Sequence, residues 1–277
     1  MEALDGIKNI KIFDNTMYHL DDCYETYQKY MELLDGLSLK ELGMFLQILR
    51  KNELVNNQET ENEPSLLMEM TAQMDKTNSV QMMADLMNSG RDITLDDVKK
   101  IHQRLLRGTS DDIEKNYKYR DFPVTVSRIE NGESVLEYLP PDSEEIIPYM
   151  EYLLDYLNDD TGLQMETVFI KPMIAHAYIS ILQPFGNGNT RIARLIQYGK
   201  IFDLTNKYFG KNYPHPIMYL SKNYLITRGN YRGNISNIAK MHNDESWNKW
   251  FKYNLNRIED QLRYYNNNLE DYYRRYK

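Results

Sequence analysis

The sequence predicts a mostly α-helical fold carrying one small β-hairpin, on three observations. Apolar residues recur three and four positions apart in one segment after another. Alternation at period two occurs in one place, between Phe122 and Tyr138, around an Asn131-Gly132 turn pair. With 277 residues and 42% hydrophobic content, the chain buries a sizeable core, as one large or two small helical lobes.

Residues 1–55 read as N-terminal helices. Leu20, Tyr24, Tyr27, Met31 and Leu34 form a stripe, and Ser38-Leu39-Lys40-Glu41 has the spacing of a capping box that opens a helix through Leu42, Phe45, Leu46 and Leu49. Residues 56–90 begin as a polar acidic run closed by Pro64, which composition makes a loop, and continue as a methionine-rich helical stretch that suits an adaptable core.

Residues 91–262 form the core of the fold. Thr94-Leu95-Asp96-Asp97 caps a helix through Val98, Ile101, Leu105 and Leu106, with His102 beside the apolar stripe as a packing residue. A hairpin over 120–138 follows, then a helix from Asp142 to Asn158. A central helix carries Ile170, Met173, Ile174, Ala177, Tyr178 and Ile181, and later helices carry Tyr224, Tyr231, Trp247 and Trp250. The tail over 263–277, rich in Tyr, Asn and Arg, reads as a fraying helix.

Composition excludes several classes. No run approaches the roughly 20 apolar residues of a membrane span, and no basic-then-apolar leader is present, so no membrane contact and a cytoplasmic location are expected. Cys23 stands alone, which rules out an intramolecular disulfide and a cysteine metal site. The net charge of −8 argues against non-specific nucleic-acid binding, and no helix-turn-helix module suggests DNA.

The functional signal is Gln183-Pro184-Phe185-Gly186-Asn187-Gly188-Asn189-Thr190-Arg191-Ile192-Ala193-Arg194, a polar loop between two apolar-periodic helices. The start of the second helix presents unpaired backbone N–H groups and a favourable dipole to an anion, and Arg191 and Arg194 lie three apart beside it. Phosphate is the matching ligand class.

This stretch resembles the signature of the Fic (Fido-domain) family, His-Pro-Phe-x-Asp/Glu-Gly-Asn-Gly-Arg-x-x-Arg, through Pro184, Phe185, Gly188, Asn189, Arg191 and Arg194. The likeness in pattern extends from about Ser38 to about Leu262 and implies the Fic helical domain with its small hairpin flap. It further implies a protein adenylyltransferase-like reaction: Mg²⁺-bound ATP lies on Gly188, Asn189, Thr190, Arg191 and Arg194, a target hydroxyl attacks the α-phosphate, and AMP is transferred. The flap, at Val124, Thr125 and Val126, holds the target protein by strand addition, and Arg120 matches an arginine before it. Glu61, in Asn57-x-x-x-Glu61-Asn62, matches the family's inhibitory glutamate, which would pair with Arg194 in competition with phosphate; Glu69 is the rival position. His176 matches an upstream structural histidine. It lies about 10 Å along the helix from Gln183, too far to serve as its substitute.

Three positions depart. Gln183 stands at the catalytic His position, Asn187 at the metal-binding acid, and Thr190 at the second Gly. An amide accepts no proton at working pH, and losing a general base forfeits about 10²–10⁴ in rate. One neutral amide oxygen at Asn187 weakens Mg²⁺ binding. A nucleotidyltransferase with altered chemistry, a nucleotide-binding pseudoenzyme with a regulatory or peptide-binding role, and a helical scaffold all stay open, as do the oligomeric state, the target and the transferred group.

Overall fold

The computed structural model describes residues 4–60 and 70–277, with side chains described over 4–53 and 79–277. In chain order its helices are α1 (Asp14–Asp35), α2 (Leu39–Thr60), α3 (Met70–Asn88) and α4 (Leu95–Leu106), then α5 (Ile146–Asn158), α6 (Met165–Leu182), α7 (Asn189–Phe209), α8 (Ser221–Ile226), α9 (Arg228–Met241) and α10 (Asp244–Tyr276). Between α4 and α5 lies the antiparallel pair β1 (Val126–Glu130) and β2 (Glu133–Tyr138). The mostly α class with one hairpin is what the apolar spacing predicts.

Helices α6 and α7 are the axis of the molecule. Every residue from Val168 to Leu182 is buried, and so is every residue from Arg191 to Thr205. A helix surrounded on all sides needs apolar character all round, which is why α6 has no polar face. Helices α3 and α4 pack on α7, while α5, α9 and α10 pack on α6. Close approach of α3 depends on Gly199, where an added Cβ would sit 2.5 Å from Met83 Cγ.

The two capping predictions hold as geometry. Ser38 N donates to Glu41 Oε2 at 2.7 Å and Glu41 N to Ser38 Oγ at 3.3 Å. Thr94 and Asp97 make the same reciprocal pair at the start of α4, which satisfies N–H groups that the helix itself leaves without acceptors.

Four boundaries differ from expectation. Helix α2 does not stop at residue 55 but continues through Thr60; the stretch contains no Gly or Pro, so nothing in the backbone ends the helix. Helix α10 crosses 263 without a break, because Tyr265 and Leu269 extend its buried stripe beyond Leu262. The buried stripe therefore reaches Leu269, and the last turns beyond it are half-buried or exposed. The helix runs parallel to α1, with Thr16 Oγ1 donating to Asn248 Oδ1 at 2.7 Å, Asn266 Nδ2 to the Thr26 carbonyl at 3.1 Å, and Tyr273 OH to the Leu33 carbonyl at 2.7 Å. Helix α5 begins at Ile146 after a 3₁₀ turn over Ser143–Glu145, where Asp142 and Glu145 form a capping box.

The fourth difference is in the hairpin. Val124 and Thr125 lie before β1, and of the three expected strand residues only Val126 is inside it. Opposite them the chain runs past Tyr138 into Pro140-Pro141, which offer no N–H to a ladder. The turn is as the sequence indicates, with Asn131 and Gly132 at φ 52° and 85°, the left-handed pair that a two-residue hairpin needs. The outer edge of β1 pairs with no strand among the described residues.

Candidate functional site

Helix α6 ends at Gln183, whose φ of 49° and ψ of 59° reverse the chain. Five residues on, Gly188 at φ 74° launches α7. A side chain at Gly188 is excluded twice, since its Cβ would lie 2.8 Å from Leu106 Cδ2 and 3.0 Å from His102 Nε2. The loop between is held from three directions.

From below, Asn189 accepts from the Phe185 N–H at 2.9 Å and donates through Nδ2 to both the Phe185 carbonyl and Gln183 Oε1, each at 2.9 Å. From the side, His102 on α4 stacks on Phe185 with ring centroids 3.7 Å apart and meets the Asn187 carbonyl with Nε2 at 2.8 Å. That acceptor fixes the proton on Nε2, the neutral tautomer. Burial pushes the His102 pKa down to about 4, with Arg191 adding to the shift and the Asn187 carbonyl opposing it. His102 is thus the packing residue expected from its place on the helix, and in addition a support of the loop.

From the hairpin side, Arg120 is 2% exposed and spends its guanidinium on backbone. Nε donates to the Gln183 carbonyl at 2.7 Å, Nη1 to Phe122 at 3.0 Å, and Nη2 to Pro141 at 2.5 Å and Leu182 at 3.3 Å. Two of these carbonyls belong to the C-terminal end of α6, where a cation is favoured. Tyr119 and Phe185 add an antiparallel bridge.

At Gln183 the amide is turned to the protein. Nε2 donates to the Ser180 carbonyl at 2.6 Å and Oε1 accepts from Asn189. The side chain at the position of the family's catalytic His thus ties the end of α6 to the start of α7. The physical reason is the left-handed backbone at residue 183, which folds the short amide back over its own last turn.

The arginines of α7 are buried, Arg191 at 2% and Arg194 at 1% exposure. Arg191 Nη2 pairs with Asp111 Oδ2 at 2.5 Å. The other oxygen of the same carboxylate accepts from Asn187 Nδ2 at 2.5 Å, while Asn187 Oδ1 accepts from the Gly188 N–H at 2.7 Å. Asn187 therefore shows its NH₂ group, not its oxygen, to the nearest acid, which is the opposite of what the expected metal ligand would do. Thr190 is half-buried in the first turn of α7.

Arg194 lies on the other side, within electrostatic reach of Glu53 and His176. Glu53 on α2 is 5% exposed and accepts from Ser221 Oγ at 2.5 Å. Burial pushes its pKa up to about 7 against the lowering effects of Ser221 and Arg194. His176 is enclosed, with Nδ1 2.6 Å from Gln197 Oε1 and Nε2 2.9 Å from Tyr231 OH. Burial drives its pKa to about 3, so it is a neutral core residue far from proton transfer. Glu61 and its rival Glu69 lie outside the described residues.

Asp111, His102 and Glu53 were not readable as site residues. Asp111 reaches the loop across 76 and 80 positions of sequence, and no periodicity carries information over that distance. Among the described residues no three His, Cys, Asp or Glu side chains converge as a metal cluster, and no helix is long and apolar enough to cross a membrane.

The geometry gives a loop clamped by Arg120, Asn189 and His102 at the start of a long helix, with two buried guanidinium groups behind it. That arrangement can take an anion at the helix start. The Fic/DOC family model matches residues 92–198. Protein adenylyltransferase fic-1 of Caenorhabditis elegans and its namesake in Caenorhabditis briggsae are each 30% identical over 105 residues, 38% of this chain and 18% of the relative. The matched segment thus spans less than a fifth of those relatives. A Fic-domain-containing signalling protein from Bacteroides thetaiotaomicron superposes with a TM-score of 0.68 at 15% identity, covering 90% of this chain and 98% of that one. A Fic family protein from Desulfovibrio desulfuricans gives 0.65 at 18% identity over 91% of this chain and 74% of that one. Fic-1 of C. elegans (residues 134–508) gives 0.64 at 16% identity, over 92% and 74% respectively. Residues 92–198, which carry the hairpin and the clamped loop, match the Fic/DOC family model, and the fold of the chain is that of solved Fic-domain proteins.

Proposed function

We propose that this chain is a Fic-type nucleotide-binding protein that holds the polyphosphate of ATP on the loop from Gly188 to Arg194 and a partner's extended segment along β1. Its role is that of a regulatory, peptide-binding module in which AMP transfer is a residual activity. The observation that carries this reading is the state of Gln183. Its amide is engaged by Ser180 and Asn189, while the N-terminal turn of α7, to which this reading assigns the phosphates, starts beside it with Arg191 in that turn. Fic-type transfer would form a bond between a target hydroxyl oxygen and the α-phosphorus, break the bond to the β-phosphate and release pyrophosphate. With no general base at residue 183 the hydroxyl proton passes to water or to a phosphate oxygen, at a cost of about 10²–10⁴ in rate.

The relatives named protein adenylyltransferase favour the second reading, in which transfer is the main activity. Incubation with α-labelled ATP and a cell lysate, beside titration calorimetry with ATP, separates the two. Saturable ATP binding with little or no label on protein supports the module. Strong label that vanishes in Arg194→Ala replaces it with the enzyme, and absence of both removes the nucleotide reading altogether.

A further inference from the structure

We infer that the cavity between α2, α8 and α10 is a binding site for a small planar aromatic anion. The cavity has a volume of about 540 Å³, within the range of clefts that take small ligands. It is separate from the proposed nucleotide site, because none of the described residues that line it belongs to the loop from Gln183 to Arg194.

The walls select a ring. Phe45 of α2 and Tyr265 of α10 meet edge to face with centroids 6.1 Å apart, and both line the cavity together with Ile48, Tyr219 and Tyr264. Ile48 on α2 and Tyr264 on α10 are exposed, so a flat ligand seated between the two helices takes their apolar surface out of water and stacks on aromatic faces. Tyr219 is 4% exposed, yet its hydroxyl has no hydrogen-bond partner. A buried hydroxyl is normally satisfied, and an orphaned one on a residue that lines a cavity points to a missing polar group of a ligand.

The charges select an anion. Glu53 is on the inner wall, 5% exposed, but its carboxylate is seated on Ser221 Oγ and has Arg194 within electrostatic reach. That acid is already answered by the protein. Lys222 is not: its ammonium lies 5.7 Å from the centre of the Tyr264 ring, and no carboxylate pairs with it among the described residues. A cation already held over one aromatic wall repels a second cation from solvent and attracts an anion beside the ring. Asn52 and Asn268, exposed amides of the same lining, supply donors and acceptors for the edge of a heteroaromatic ligand.

Two probes with one ring and opposite charges, 2-naphthoate and 2-naphthylmethylamine, test this on the full chain by saturation-transfer NMR at low salt. Naphthoate is expected to bind with a Kd below about 1 mM, as a well-fitted ligand of that size does, and about tenfold more tightly than the amine. Lys222→Met should bring the two probes within about threefold of each other, because the charge that separates them is gone. Ile48→Trp, which puts a ring across the cavity, should weaken naphthoate about tenfold. Both side chains are exposed, and melting temperatures check that the variants fold. Excess ATP should leave naphthoate bound. Preference for the amine, an unchanged preference in Lys222→Met, full binding in Ile48→Trp, displacement by ATP, or no binding of either probe would each overturn the inference. A protein that binds naphthoate but not ATP keeps this site and loses the nucleotide reading.

Discussion

The guanidinium of Arg120 donates from Nε to the carbonyl of Gln183 at 2.7 Å, joining the segment before the hairpin to the turn where α6 ends. The same side chain serves Leu182, Phe122 and Pro141. Lysine cannot reproduce a planar fork with five donors. Arg120→Lys is expected to lose roughly 3 kcal/mol of unfolding free energy, from buried carbonyls left without donors. Urea titration followed by circular dichroism measures it, and a loss under about 1 kcal/mol would show that the clamp is not structural.

Two buried neutral histidines make the fold acid-sensitive. His102 and His176 have pKa values lowered to about 4 and about 3, against about 6.5 in the unfolded chain. The unfolded state therefore binds more protons, so stability is fully present above about pH 6.5 and falls as pH drops toward 4. For His102 the loss amounts to roughly 3 kcal/mol. His102→Gln, which keeps a donor for the Asn187 carbonyl, should flatten that slope. Denaturant midpoints taken from pH 7 to pH 4 settle it, and identical slopes in variant and wild type would contradict the assignment.

Glu53 behaves in the opposite sense. Its folded pKa of about 7 lies above the unfolded value, because burial outweighs the help of Ser221 and Arg194. Its burial is tolerated best below about pH 4.5 and erodes stability as pH rises to about 7. Glu53→Gln should therefore gain on the wild type between pH 5 and pH 8, by up to roughly 3 kcal/mol at the upper end. Melting temperatures at the two pH values give the comparison; a gain that is the same at both would leave no place for titration of Glu53.

Restoring a proton acceptor tests whether the remaining site is competent. Gln183→His with Asn187→Asp is expected to raise AMP transfer by about 10²–10⁴, the range that general-base catalysis supplies. Label transferred from α-labelled ATP is the readout. No gain in a double variant that still binds ATP would mean that the loop geometry itself forbids the reaction.

The fold was legible where burial follows a period. Leu20, Tyr27, Met31 and Leu34 are the buried face of α1 as their spacing requires, and Asn131-Gly132 marks the hairpin turn. The anion loop was legible because glycine, asparagine and arginine have a joint purpose at a helix start. What escaped was set by contact across the chain. Nothing in the spacing of Asp111 places it on Arg191, and nothing in Gln183 announces a left-handed backbone that folds its amide onto Ser180. The packing of α10 beyond Leu262 escaped for a different reason. Tyrosine and asparagine look polar in composition, yet Tyr265 and Asn266 are buried against α1.

The parallel pairing of α1 with α10 joins residues 232 to 240 positions apart. During synthesis α1 leaves the ribosome well before α10, the helix that runs along it. Contacts of such long sequence separation form slowly, since the loop must close before they reward it. Helix α1 is thus locked only after α10 has been made, and until then part of its apolar stripe is open to chaperones and to self-association.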